Sequence, residues 1–236
     1  MALYVYSITA ADHPCRLDGL TGVGADPAPL RTVTAGRLRA VVSDVDEEIR
    51  PRRRDLAAHQ EVQERLMADG TVLPLQFGYT APDDLAVTQV LQERADAYLE
   101  ALERLDACAE YNVKASRPEE GLLREILEES AQARLLNDRI RAGDSDPRLP
   151  LQLGELVAAQ VRDRQEELAA GLVRALIPLA RDHCVRAPAN GDVLNLSLLV
   201  PDDRRNALIE AETDLARQAG DIDFRFTGPL PPYSFV

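Results

Sequence analysis

The stretch Leu3-Tyr-Val-Tyr-Ser-Ile8 is built from β-branched and aromatic residues and predicts a central strand. The next segment, Asp12 to Leu30, carries Pro14, Gly19, Gly22, Gly24, Pro27 and Pro29. So many helix breakers predict a loop where a helix would otherwise follow the strand. Arg31–Thr34 and Leu38–Val45 then read as a hairpin around Ala35-Gly36. A helix begins at Asp55, with Leu56, His59, Val62, Leu66 and Met67 on one stripe, and stops at Gly70, where a left-handed cap is expected. Thr71–Phe77 reads as the next strand, and Pro82 opens an amphipathic helix to about Leu105.

Ala107–Ala115 is strand-like again, and Ser116 and Glu119 form a capping box around Pro118. Leu122, Leu123, Ile126, Leu127, Ala133, Leu136 and Ile140 supply the apolar face of that helix. Gly143–Pro150 breaks it, and a second helical pattern follows, bent at Pro178. Asn190-Gly191 predicts a hairpin joining Cys184–Ala187 to Val193–Val200. A helix over Pro201–Ala219 and a strand over Ile222–Thr227 complete the series. The second half therefore reads β-α-α-β-β-α-β and the first β-loop-β-β-α-β-α. Both are variants of the ferredoxin-like βαββαβ order, one with its first helix doubled and one with that helix replaced by a loop. The expected fold is α+β: two tandem modified ferredoxin-like domains, over residues 1–106 (with a linking helix) and 107–227, and an extended C-terminal tail over 228–236.

That tail continues from Thr227 as Gly-Pro-Leu-Pro-Pro-Tyr-Ser-Phe-Val236, with no charged side chain. Its prolines hold it extended and lower the entropy lost on docking. Each large apolar side chain is worth roughly 1.5–3 kcal/mol when fully buried. Leu230, Tyr233, Phe235 and Val236 are accordingly expected to dock on the chain's own first domain and bridge the two halves.

The net charge of −13 is spread over both halves, and aromatic residues make up only 4% of the chain, which together argue against a nucleic-acid partner. No apolar run approaches the roughly 20 residues of a membrane span, and the N-terminus lacks a signal-peptide pattern. The three cysteines, Cys15, Cys108 and Cys184, are far apart without a CxxC, so reduced thiols in a soluble intracellular protein are expected. The basic cluster Arg50 and Arg52–Arg54 follows Asp44, Asp46, Glu47 and Glu48 and reads as a self-neutralising loop. Gly19-Leu-Thr-Gly-Val-Gly24 lacks the lysine of a phosphate loop. His59 falls on the apolar stripe and reads as a core histidine, His13 lies in the mobile loop, and His183 adjoins Cys184 without metal-ligand spacing. No catalytic residue, cofactor or metal is predicted. A binding or assembly role leads, and the alternative is a small-molecule-binding enzyme or sensor on a ferredoxin-like scaffold.

Four separated segments carry a family resemblance: Ala2-Leu-Tyr-Val-Tyr-Ser-Ile8, Gly36-Arg-Leu-Arg-Ala-Val-Val-Ser-Asp-Val45, His59-Gln-Glu-Val with Val72-Leu-Pro-Leu-Gln-Phe-Gly78, and the tail. In this order they resemble the gas vesicle protein family GvpL/GvpF. Gln76 stands where the family usually has arginine, Tyr79 where threonine is common, and Leu230 where tryptophan is frequent. The resemblance implies two modified ferredoxin-like domains and a non-enzymatic accessory role in gas vesicle formation, in the cytoplasm or on the vesicle. It also implies association with the hydrophobic shell protein GvpA and other accessory proteins, away from membranes. Gln76, Phe77, Gly78 and Tyr79 are the candidate partner-binding residues.

Overall fold

The structure is a computed structural model that describes residues 2–46, 49–189, 191–218 and 220–236. Glu47, Glu48 and the Asn190 of the expected hairpin turn lie outside the described residues. The architecture mixes helix and sheet in two compact units. One comprises Met1–Tyr111, Leu199–Asp203 and Gly228–Val236, and the other Asn112–Leu198 and Arg204–Thr227.

In the first unit, β1 (Ala2–Ala10) is central and buried from Leu3 to Thr9. It pairs antiparallel with β3 (Leu38–Val45), which forms a hairpin with β2 (Arg31–Ala35). On its other side β1 meets two short strands, β4 (Leu73–Pro74) at Ser7 and Ile8 and β5 (Thr80–Ala81) at Leu3 and Tyr4. The path of the sheet is β2-β3-β1-β4. The single strand expected over Thr71–Phe77 is thus cut to two residues. Pro74 has no N–H to continue a ladder, and the chain bows out before returning at Thr80.

Helix α1 (Arg53–Asp69) packs over Tyr4 and Tyr6. Beside it the glycine-rich loop inserts Leu20 and Val23, both buried, with Cys15, Leu17 and Leu30 partly buried against the same core. The loop is tied at both ends of α1: the Gly24 N–H donates to Asp55 Oδ1 (3.0 Å) and the Arg16 N–H to Asp69 Oδ2 (2.9 Å). Gly70 ends α1 with φ 158° and ψ −166°, a positive-φ conformation that side chains rarely adopt, though not the αL geometry of the expected cap. A Cβ at Gly70 would sit 3.1 Å from the His13 ring. The helix expected from Pro82 to Leu105 is two helices, α2 (Asp84–Glu93) and α3 (Ala95–Leu105), broken at Arg94. Asp83, one residue after Pro82, caps α2 by accepting the Ala86 N–H at 2.8 Å.

The second sheet has the order β7-β8-β6-β9, from β6 (Cys108–Ser116), β7 (Asp182–Val185), β8 (Asp192–Pro201) and β9 (Asp223–Leu230). Ser116 belongs to β6, so the expected capping box does not form. Pro118 occupies the N-cap of α4 (Glu119–Glu129), without a side-chain hydrogen bond. The helix expected to continue to Ile140 is interrupted at Ser130, whose hydroxyl accepts the Ala133 N–H (3.2 Å) and starts α5 (Ala131–Arg141). Helix α6 (Leu149–Leu176) follows, and Pro178 lies in a 3-10 turn beyond its end instead of bending it. Helix α7 (Arg205–Gln218) begins after β8 has run on through Pro201. The last strand likewise extends past Thr227 to Leu230.

Candidate functional site

The tail residues lie against the first unit through a chain of hydrogen bonds. The alternation of β1 places Tyr4 and Tyr6 over α1, where His59 is buried one turn before Gln63. Tyr4 Oη accepts the N–H of Gly78 (3.0 Å), which leaves its own proton for His59 Nδ1 at 3.0 Å. That assignment puts the histidine proton on Nε2, where it donates to Tyr233 Oη, also at 3.0 Å. Burial lowers the His59 pKa to about 4, and the Leu75 carbonyl, which favours protonation, does not offset it. Burial likewise pushes Tyr233 up to about 12 and raises Tyr4 and Tyr6. The relay is therefore neutral near pH 7 and holds its members by geometry.

A second layer locks β1 to α1. The Gln63 amide donates to the Tyr6 carbonyl (2.6 Å) and accepts from the Ser7 hydroxyl (2.5 Å). Tyr6 Oη meets Ser43 Oγ (2.9 Å) and accepts the Val23 N–H (2.9 Å). Beyond Tyr233, the Ser234 N–H and hydroxyl donate to the buried Glu110 carboxylate at 2.8 and 2.5 Å. Arg104 donates to the Phe235 carbonyl at 2.8 Å. Pro231, Pro232 and Phe235 are buried, and Leu230 and Tyr233 half-buried. Val236 departs from the expectation for the strap: it is 57% exposed. At the start of the tail, a Cβ on Gly228 would stand 2.5 Å from the Tyr111 ring, so only glycine passes there.

Gln76, Phe77, Gly78 and Tyr79 form the outward bow between β4 and β5. The Leu75 N–H donates to the Tyr6 carbonyl, and the Tyr79 carbonyl accepts the Val5 N–H, both at 2.9 Å. Phe77 packs edge-on to Tyr4 and His59, with centroids 5.7 Å apart in each case. Gln76 and Gly78 are exposed, and Tyr79 presents an aromatic ring that is 55% exposed. The bow is thus hydrogen-bonded to β1 at both ends, and its Gly78 N–H joins the histidine relay that the tail also reaches.

His13 is not in a mobile segment. It is buried, with Nε2 3.1 Å from the Leu66 carbonyl at the end of α1 and Nδ1 3.3 Å from Cys15 Sγ. Burial opposes protonation of His13, but Cys15, the Leu66 carbonyl and Asp69 outweigh it and raise its pKa. Burial also opposes ionisation of Cys15, yet hydrogen bonds from His13, Arg39 and Thr9 hold its pKa below the ordinary thiol value. An open cleft of about 460 Å³ adjoins this corner, lined by His13, Asp12, Asp69, Glu103, Asp106 and Arg37 among others. Cys108 and Cys184 sit on β6 and β7, which β8 separates. Among the described residues no three histidines, cysteines or carboxylates gather as a metal site. Sequence reasoning missed the His13–Cys15 corner and the partnership of His59 with Tyr233. The only signals were the i, i+2 spacing of the first pair and the position of His59 on the apolar stripe.

These features define a helix-and-sheet protein of two compact units, the first of which carries a packed tail and an exposed bow beside it. The description "gas vesicle synthesis protein GvpL/GvpF" belongs to the family whose pattern matches residues 2–236, and the chain belongs to that family. It is 41% identical to gas vesicle protein F of Streptomyces sp. (strain CB03234), covering 100% of both chains. It is 28% identical to gas vesicle protein L of the same strain, over 99% of this chain and 92% of that one. The crystal structure of GvpF from Anabaena sp. PCC7120 superposes with a TM-score of 0.87 at 21% identity, over 99% of this chain and 97% of that one, a likeness of fold.

Proposed function

We propose that this protein is a non-enzymatic accessory factor of gas vesicle formation that binds the hydrophobic shell protein GvpA and other accessory proteins, in the cytoplasm and on the growing vesicle. The observation that carries this reading is the family match over residues 2–236, supported by the full-length relative. A shell subunit with an apolar face needs a partner that covers it until assembly, and an acidic, well-folded adaptor meets that need. The bow at Gln76–Tyr79 is the surface we assign to such contact, since it exposes an aromatic ring on a segment hydrogen-bonded to β1 at both ends. Leu230, Tyr233 and Phe235 act as the structural anchor of the tail. No described helix is long and apolar enough to cross a membrane. The two strand orders, β2-β3-β1-β4 and β7-β8-β6-β9, repeat the same relative pattern. That pattern supports reading the chain as tandem modified ferredoxin-like domains, 1–106 and 107–227, followed by the tail.

The test is co-expression with GvpA in cells lacking the family, followed by co-purification and electron microscopy of vesicles. Recovery of GvpA with the chain, and its loss in a Tyr79→Ser variant, is the expected result. Normal vesicles without any family member would reject the role. The cleft beside His13 favours one rival, a small-ligand sensor, because its lining collects ionisable groups of both signs. Thermal shifts with small amines or carboxylates, absent in His13→Asn, would support that rival.

A further inference from the structure

A thiol becomes a nucleophile when a base can take its proton and nearby donors hold the anion. Both conditions are met around Cys15. His13 Nε2 donates to the Leu66 carbonyl at 3.1 Å, so the neutral ring carries its lone pair on Nδ1. That atom accepts the Cys15 N–H at 3.1 Å and stands 3.3 Å from Cys15 Sγ, within reach of the thiol proton. The carbonyl orients the base as the third member of a triad does. Gly70 makes room for the ring, since a Cβ there would sit 3.2 Å from Nε2.

Two strands bring further donors to the sulfur. Thr9 of β1 places its hydroxyl 3.8 Å from Sγ. Arg39 of β3 donates from its terminal nitrogens to the His13 carbonyl (2.9 Å) and the Ala11 carbonyl (2.5 Å), which clamps the guanidinium on this loop. Its Nε is buried and outside hydrogen-bond geometry with any acceptor among the described residues, so it keeps an N–H to offer. Burial raises the Cys15 pKa, but His13, Arg39 and Thr9 together lower it below the ordinary thiol value. Cys15 also holds φ at 45°, in the left-handed region that residues other than glycine rarely adopt. The three cysteines are all partly exposed, so access does not single out Cys15, whereas its surroundings do. An open cleft of about 460 Å³ runs past His13 and Pro14 and admits solvent to the side of the base.

We propose that Cys15 is a reactive thiol that hydrogen peroxide and small hydroperoxides oxidise to a sulfenic acid, with His13 as proton acceptor and Arg39 and Thr9 as donors. The thiol proton passes to His13 Nδ1, and the thiolate attacks one peroxide oxygen. The S–O bond forms as the O–O bond breaks, and sulfur gives up the two electrons that reduce the peroxide. The departing oxide takes the proton back from His13 and leaves as water or an alcohol. A bulky disulfide fits less well, because its sulfurs must line up with a Cys15 that packs against the core of Tyr4 and Tyr6. The other charged groups around the pair are Asp69 at the end of α1 and, in the cleft wall, Asp12, Arg37, Glu103 and Asp106. The inference stands apart from GvpA binding, because either property can fail while the other persists.

The experiment treats the reduced full chain with hydrogen peroxide in the presence of dimedone, which traps sulfenic acid, and follows each cysteine by peptide mass spectrometry. Cys15 should be labelled roughly tenfold or more faster than Cys184. His13→Gln and Arg39→Gln should each slow Cys15 by a similar factor and leave Cys184 unchanged. Alkylation by iodoacetamide, followed against pH, distinguishes a base from mere packing. The Cys15 rate should level off below the ordinary thiol pKa of about 8.5, and His13→Gln should move that inflection upward. Equal labelling of the three cysteines overturns the proposal, as does an unchanged Cys15 rate in folded His13→Gln. An inflection at or above about 8.5 in the parent chain overturns it too, and that measurement needs no variant to fold. Fast alkylation of Cys15 without a dimedone adduct also overturns it, by assigning the thiol to electrophiles other than peroxides.

Discussion

The sheet of the first unit and the helical layer of the second solve the same packing problem by different means. In the first, Tyr4, Tyr6, His59 and Gln63 are buried polar groups with hydrogen-bond partners on other elements. In the second, the cluster that joins α4, α5 and α6 is built on buried Leu122, Ile126 and Ala133, with Leu153, Leu156, Val157 and Val161 of α6 partly buried against it. Leu135 and Leu151 are more than 60% exposed. Surface ion pairs supplement that thin core, with Arg164 reaching Glu125 and Glu129. A hydrogen-bonded network specifies one arrangement and penalises the loss of any member, whereas a thin apolar layer yields locally. The first unit should therefore break as a whole and the second in parts.

The largest effect should come from truncation after Gly228. It removes Phe235 and Tyr233, leaves Glu110 buried without Ser234, and takes the Tyr233 partner from His59 Nε2, so a loss of about 3–5 kcal/mol is expected in denaturant titration. A truncated chain with unchanged midpoint would show that the tail is not part of the network.

Acid should expose the same network. The folded His59 pKa is lowered to about 4 from the ordinary 6.5. Its contribution is fully present above pH 6.5. As pH falls towards 4 the unfolded chain takes up the proton first, so about 3 kcal/mol is lost across that window. His59→Gln, compared with the parent chain over that range, should flatten the decline, and an identical slope in both would refute the assignment. His13 works in the opposite sense. Its pKa is raised, so its contribution is present below the ordinary value and fades as pH rises through the folded one.

Ile126→Ala should cost about 2–3 kcal/mol, with faster amide exchange confined to α4, α5 and α6. Exchange accelerated equally in β1 would erase the contrast between the units. The smallest change belongs to Arg164→Gln, expected below about 1 kcal/mol and vanishing at high salt. A larger, salt-insensitive loss would mean that the ion pairs, and not the apolar face, hold α6.

Local chemistry that needs no distant partner was legible in the residues. The β-branched and aromatic run of β1, the hairpin at Gly36 and the breaker-rich loop all reveal themselves within a few positions. So did the family, because its motifs are short and ordered along the chain. The helix break at Ser130 was written in a capping serine that the longer apolar stripe outweighed, whereas Arg94 gave no comparable sign. The capping box at Ser116 failed because pairing in the second sheet holds that residue in β6.

What the sequence determined by itself was the kind of element at most positions and an apolar, uncharged tail that demands cover. Only the tertiary structure decided where that tail's polar atoms go, since Tyr233 and His59 are 174 residues apart. It also decided that His13 would be buried at the end of α1, against the Leu66 carbonyl. Periodicity reports the burial of a side chain on one element. Hydrogen bonds and ion pairs between elements depend on which chain segments the fold brings together, and no local pattern encodes that.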